Sequence, residues 1–138
     1  MVCGVGARVV KQGARVLIVE DSPSQAAIIA TVVKQAGHIP TVYSQLPSGI
    51  TQILTKEQPD LVLLDLRLLD REGNAMAYGF QICREIKRTQ KNIPVIVISA
   101  EGDEDACEWA VLQGADAYLQ KPFAVDDLTT IMAQVLKS

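Results

Sequence analysis

One histidine, three cysteines and no long apolar run set the first limits on this 138-residue chain. Three is an odd number, and Cys3, Cys83 and Cys107 are irregularly spaced, which argues against a disulfide framework or a cysteine metal cluster. A reducing, cytoplasmic setting fits that usage. The sole histidine, His38, opens a stretch that reads as an edge strand, so it is solvated or structural and not a catalytic base. The N-terminus lacks an apolar segment of signal-peptide length, and no run is long enough to span a bilayer, so membrane insertion is not expected. A formal net charge of −3 supplies no electrostatic reason to expect direct nucleic-acid contact. Repeats and low-complexity tracts are absent. What remains is one domain, residues 14–138, behind a small-residue N-terminal tail of residues 1–13.

Hydrophobic residues make up 49% of the chain and charged residues 21%, a balance that suits a buried sheet. The central stretch is Asp60-Leu61-Val62-Leu63-Leu64-Asp65, whose apolar run leaves no polar face and therefore reads as a strand buried on both sides. Arg15–Val19 has the same form and runs into Glu20 and Asp21; Ile93–Ile98 runs into Ser99; Asp116–Gln120 runs into Lys121. His38–Tyr43 is a further strand, placed at a sheet edge by Pro40.

Helices fill the intervals. Ser22-Pro23 is a helix start, and Ile29, Val32, Val33 and Ala36 form an inward face that ends at Gly37. A second helix covers about Ser48 to Gln58, with Ile50, Ile53 and Leu54 inward. Gly79, Ile82, Cys83 and Ile86 stripe a third, whose entrance is read at Tyr78-Gly79-Phe80. Asp103 caps a fourth, with Ala106, Trp109 and Ala110 inward. Leu128, Ile131, Met132, Val135 and Leu136 mark the last. Strict alternation of strand and helix predicts a doubly wound, five-stranded parallel sheet of order 2-1-3-4-5, flavodoxin-like, which puts Glu20 and Asp21 beside Asp65 at the carboxyl edge.

Carboxylates converging within about 5 Å repel by roughly 3 kcal/mol per pair at an effective dielectric near 20. Such a group either takes up protons or binds a hard divalent cation, and oxygen ligands on a hydrated rim suit Mg²⁺. With an ammonium from Lys121 and a hydroxyl from Ser99, the rim becomes a cradle for a phosphoryl group. The implied chemistry is phosphoryl transfer onto Asp65. Taken singly, Glu20-Asp21 could be a favourable charge at a helix N-terminus, Lys121 a surface lysine and Tyr118 a core aromatic. Their combination carries the signal.

That combination resembles the receiver domain of two-component response regulators: Glu20-Asp21, Asp65, Ser99-Ala100 and Lys121-Pro122-Phe123, each following its strand. The resemblance covers about Ala14 to Lys137. It implies a phosphoprotein in which Asp65 is the phosphoacceptor and Glu20, Asp21, Asp65 and the Arg67 backbone carbonyl hold Mg²⁺ directly or through water. It further implies that Lys121 contacts the phosphoryl group, that Ser99 is the switch hydroxyl, that Tyr118 is the switch aromatic, and that the Lys121-Pro122 bond is cis. The implied partners are a histidine kinase or phosphotransfer protein of a phosphorelay and a downstream effector protein. The fourth helix, last strand and last helix would serve as an effector or homodimer face. With the last helix ending near Ser138, a stand-alone receiver is expected, signalling by contacts and not an enzyme beyond its own phosphorylation and dephosphorylation.

Two other classes compete. Phosphohydrolases of the haloacid dehalogenase type place a second aspartate two residues after the nucleophile, where this chain has Arg67. A phosphorylation-independent interaction module of the same fold is the alternative. The chain also departs from the family pattern: Leu69 stands at a usual proline position, and about six residues, Asp70 to Ala75, read as an insertion. That insertion either governs access of the phosphodonor or a partner, or is a tolerated surface loop. Arg67 and Glu101 should flank the pocket mouth, either paired across it and slowing attack by water, or both solvated.

Overall fold

The structure, a computed structural model, describes residues 13–46, 49–65, 75–99 and 106–136. Strand and helix alternate throughout: β1 (Arg15–Val19), α1 (Pro23–Gln35), β2 (Ile39–Tyr43), α2 (Ile50–Glu57), β3 (Leu61–Asp65), α3 (Ala75–Thr89), β4 (Val95–Ser99), α4 (Ala106–Leu112), β5 (Ala117–Gln120) and α5 (Val125–Val135). The five strands pair in parallel in the order β2-β1-β3-β4-β5, as the sequence pattern predicts.

Every residue of β3 and β4 is buried, so both faces of the sheet must be covered by helices. Strand alternation sorts the side chains into two cores. On one face Val16, Ile18, Leu61, Leu63, Ile96 and Ile98 pack against Ile29, Val32 and Val33 of α1 and Leu128 and Met132 of α5. On the other, Leu17, Val19, Val62, Leu64, Val95 and Val97 pack against α2, α3 and Ala110 of α4. Truncating a fully buried side chain such as Leu63 would cost about 2–5 kcal/mol, so this sheet is a rigid mount for whatever its edge carries. Among the described residues no helix is long and apolar enough to cross a membrane.

Local signals set the ends of α1. The Ser22 hydroxyl accepts the Gln25 N–H at 3.4 Å and Pro23 opens the helix. At the other end Gly37 takes φ 91°, a conformation open to glycine without penalty. The edge strand β2 carries Pro40, as expected.

Some expectations change. Trp109 is not inward: it is 49% exposed and lays its ring against Phe80, centroids 6.3 Å apart, because Ala110 is the residue of α4 that meets the sheet. His38 is buried and structural. The third helix starts at Ala75, upstream of the expected Tyr78, and the second at Ile50, with Gly49 as its cap. Asp103 and most of the tail and insertion, residues 1–12 and 66–74, lie outside the described residues.

The amino edge of the sheet is held by a polar clasp. Lys87 Nζ donates to the carbonyls of Lys91 at 2.9 Å and Ile93 at 3.0 Å and to Asp116 Oδ2 at 2.9 Å. The same Asp116 oxygen accepts the Val95 N–H at 2.8 Å. This clasp joins α3, β4 and β5 at the end of the sheet opposite Asp65.

Candidate functional site

The carboxyl edge gathers the residues singled out from the sequence. Asp65 is the last residue of β3, Ser99 the last of β4, and Glu20 and Lys121 directly follow β1 and β5. The ladders extend one step beyond the strands: Glu20 N–H donates to Tyr43 O at 3.0 Å and Lys121 N–H to Ser99 O at 2.7 Å. Both residues therefore keep the alternation of their strands. Asp65 follows Leu61 and Leu63, Glu20 follows Val16 and Ile18, and Lys121 follows Ala117 and Leu119, all on the α1/α5 face. Ser99 and Tyr118 fall on the opposite face, in step with Val95 and Val97.

The side chains meet accordingly. Lys121 Nζ donates to Glu20 Oε1 at 3.2 Å and to Asp65 Oδ2. Glu20 and Asp65 are each 1% exposed, and the lysine side chain is 12% exposed. Glu20 Oε2 also accepts the Ser22 N–H at 3.1 Å, which ties the carboxylate to the start of α1. Burial, with the hydrogen bond to Asp65 and its charge, pushes the Glu20 carboxyl up to about 8, against the opposing pull of the Ser22 amide and Lys121. Two buried carboxyl groups thus share the Lys121 ammonium.

Asp21 is placed differently. It is exposed, and among the described residues no three of His, Cys, Asp and Glu converge as metal ligands. The expected three-carboxylate cluster is in this structure a pair, Glu20 and Asp65, because consecutive residues leaving a strand turn to opposite sides and only Glu20 keeps the Asp65 face. Mg²⁺ binds through one or two carboxylates and keeps several waters, so the pair, with Asp21 next in the chain on the solvent side, has the donor chemistry that a hydrated Mg²⁺ requires. Arg67 and Glu101 lie outside the described residues.

The Tyr118 hydroxyl is buried and has no hydrogen-bond partner among the described residues. Leaving a buried hydroxyl unpaired costs about 1–3 kcal/mol, a cost that marks the position as one to explain by function. The Lys121-Pro122 peptide bond is cis, as expected. The Ser22 amide on Glu20 is a contact not expected from the sequence, although an acidic pair directly before a Ser-Pro helix start is a signal for it.

A family model described as the response regulator receiver domain matches residues 16–133. The chain belongs to this family. The receiver domain is similar to the phosphate regulon transcriptional regulatory protein PhoB of Pseudomonas aeruginosa, 32% identical over 131 residues, covering 91% of this chain and 52% of that protein. Among solved structures, the receiver domain of NtrX from Brucella abortus superposes with a TM-score of 0.76 at 26% identity, covering 88% of this chain and 97% of that one. A response regulator from Thermotoga maritima shares the fold, with a TM-score of 0.77 at 24% identity over 91% of this chain and 99% of that one. The first curated relatives are longer: this receiver domain spans 25% of the DNA-binding transcriptional regulator NtrC of Proteus hauseri and about half of PhoB.

Proposed function

We propose that this receiver domain accepts a phosphoryl group on Asp65 from a histidine kinase or phosphotransfer protein and signals through a change in the surface it offers to other proteins. The observation that carries the reading is the buried Asp65 carboxylate at the carboxyl edge of β3, held by the Lys121 ammonium and crowded by Glu20. A carboxylate oxygen of Asp65 attacks phosphorus and forms a P–O bond. The P–N bond to the donor imidazole breaks, its electron pair stays on nitrogen, and the nitrogen takes up a proton from water. Glu20, Asp21, Asp65 and the Arg67 carbonyl would hold Mg²⁺, which when bound offsets the carboxylate charge and polarises the phosphoryl oxygens. Lys121 holds Asp65 in place beforehand and offers its ammonium to the added oxygens afterwards.

The phosphoryl group brings negative charge and acceptor oxygens to the rim. Ser99, buried at the end of β4, would turn its hydroxyl toward them, and Tyr118 on the same face of the sheet would respond to the space vacated. An unpartnered phenol supports this role, since no hydrogen bond among the described residues fixes it where it is. Helix α4, which exposes Trp109, Val111 and Leu112, suits the contact surface, whether for an effector protein or a second copy of the domain with β5 and α5.

Incubation with acetyl phosphate and Mg²⁺, followed by intact-mass measurement, tests the assignment. The wild-type chain should gain the mass of one phosphoryl group and Asp65→Asn should not. No gain in the wild-type chain would favour an interaction module that works without phosphate.

A further inference from the structure

His38 takes no part in the chemistry above, yet it is 6% exposed and bonded at a structural junction. Its Nδ1 accepts the Ala14 N–H at 3.2 Å. An imidazole nitrogen that accepts a backbone N–H carries no proton of its own, so the ring is neutral with its hydrogen on Nε2. Around this bond the chain is drawn together where β1 begins. Gly13 N–H donates to Gly37 O at 2.9 Å, Ile39 N–H to Ala14 O at 2.8 Å, and His38 N–H to Val33 O at 3.1 Å. The ring therefore closes a small network linking the start of β1, the end of α1 and the start of β2.

We propose that His38 is a pH-sensitive latch on the amino end of β1: neutral, it holds the Ala14 amide, and on protonation it releases that amide and loosens the junction of β1 with β2. The chemistry is direct. A proton on Nδ1 turns the side-chain acceptor of the Ala14 N–H into a second donor facing it, in a site from which water is largely excluded. Among the described residues the charged group acting on this ring is Asp60, ahead of β3; Arg15 adjoins Ala14 on β1, and Lys34, which is exposed, lies in the last turn of α1. Asp60 favours the charged ring, but its Oδ2 accepts the Arg15 N–H at 2.8 Å, and burial, the larger influence, keeps His38 below the ordinary histidine range. The latch lies at the opposite end of β1 from Glu20, so it can be read without disturbing the carboxyl edge.

The test is nitrogen NMR on the isotope-labelled chain between pH 7.5 and 5. At pH 7.5 the ring should show the Nε2–H tautomer and a coupling across the hydrogen bond between Ala14 N and His38 Nδ1. As His38 titrates, that coupling should vanish and the exchange protection of Ala14 should fall by about tenfold per pH unit below the ordinary histidine value, while the Leu63 amide keeps its native position. In His38→Phe, Ala14 protection should be low and flat with pH; should that variant not fold, the wild-type titration decides alone. An Nδ1–H tautomer at pH 7.5, or Ala14 protection unchanged through the His38 titration, would overturn the proposal.

Discussion

Replacing Glu20 by glutamine should make the metal-free domain more stable, and by an amount that grows with pH. Glu20 is buried beside Asp65, and its carboxyl is raised from an ordinary 4.5 to about 8. The folded chain therefore holds a proton that the unfolded chain has already released between those values, and wild-type stability falls as pH rises through that window. Above about 8 both forms are ionised and the whole penalty stands; below 4.5 there is none. At about 1.4 kcal/mol per pH unit the penalty reaches roughly 5 kcal/mol. Glutamine removes it but offers one acceptor oxygen where Glu20 uses two, one for Lys121 and one for the Ser22 N–H, a loss of about 1 kcal/mol or somewhat more. The net gain should be about 2–4 kcal/mol at pH 9, shrinking to nothing or slightly reversing near pH 5. Urea unfolding followed by far-UV circular dichroism at pH 5, 7 and 9, with a chelator present, measures it. Added Mg²⁺ should narrow the difference at high pH by stabilising the wild-type chain. A difference that does not vary with pH, or a glutamine variant less stable at pH 9, would refute the argument that uncompensated negative charge is stored at this edge.

Further predictions concern the rest of the domain. Asp116→Ala leaves both Lys87 and the Val95 N–H without their shared acceptor and should lower the unfolding free energy by about 2 kcal/mol, read as a shift in urea midpoint. Gly114→Ala should cost about 1–2 kcal/mol by the same measurement, because Gly114 has φ 94° and an added Cβ would lie 3.1 Å from Lys87 Cγ. In a variant whose only cysteine is Cys83, a disulfide reagent should react no faster than the chain unfolds. The thiol is fully buried, donates to Gln113 O at 3.7 Å and is pushed up to about 11 by burial, whereas a variant keeping only the exposed Cys107 should react at once.

The edge of this sheet combines two demands that oppose each other. Under the proposed function Asp65 needs neighbours that would bind a cation and a phosphoryl group, and before those arrive the same neighbours repel it. Lys121 offsets part of that repulsion through its bonds to Glu20 and Asp65. The ladder between the buried strands β1 and β3 keeps the pair from relaxing apart.

Local composition alone determined which elements form and that they alternate, while the order in which the strands pair was expected from the common doubly wound topology. Runs such as Leu61–Leu64 can only be buried strands, Ser22-Pro23 starts a helix wherever it lies, and alternation of the two leaves a parallel sheet with Glu20, Asp65, Ser99 and Lys121 on one edge. Only the tertiary structure separated Glu20 from Asp21, seated His38 on Ala14, turned Trp109 outward onto Phe80 and joined Lys87 to Asp116. The reason is distance along the chain. Lys121 meets Glu20 across 101 residues and Asp65 across 56, and Lys87 meets Asp116 across 29. Periodicity says which side of an element is buried; which partner waits there depends on how the elements pack.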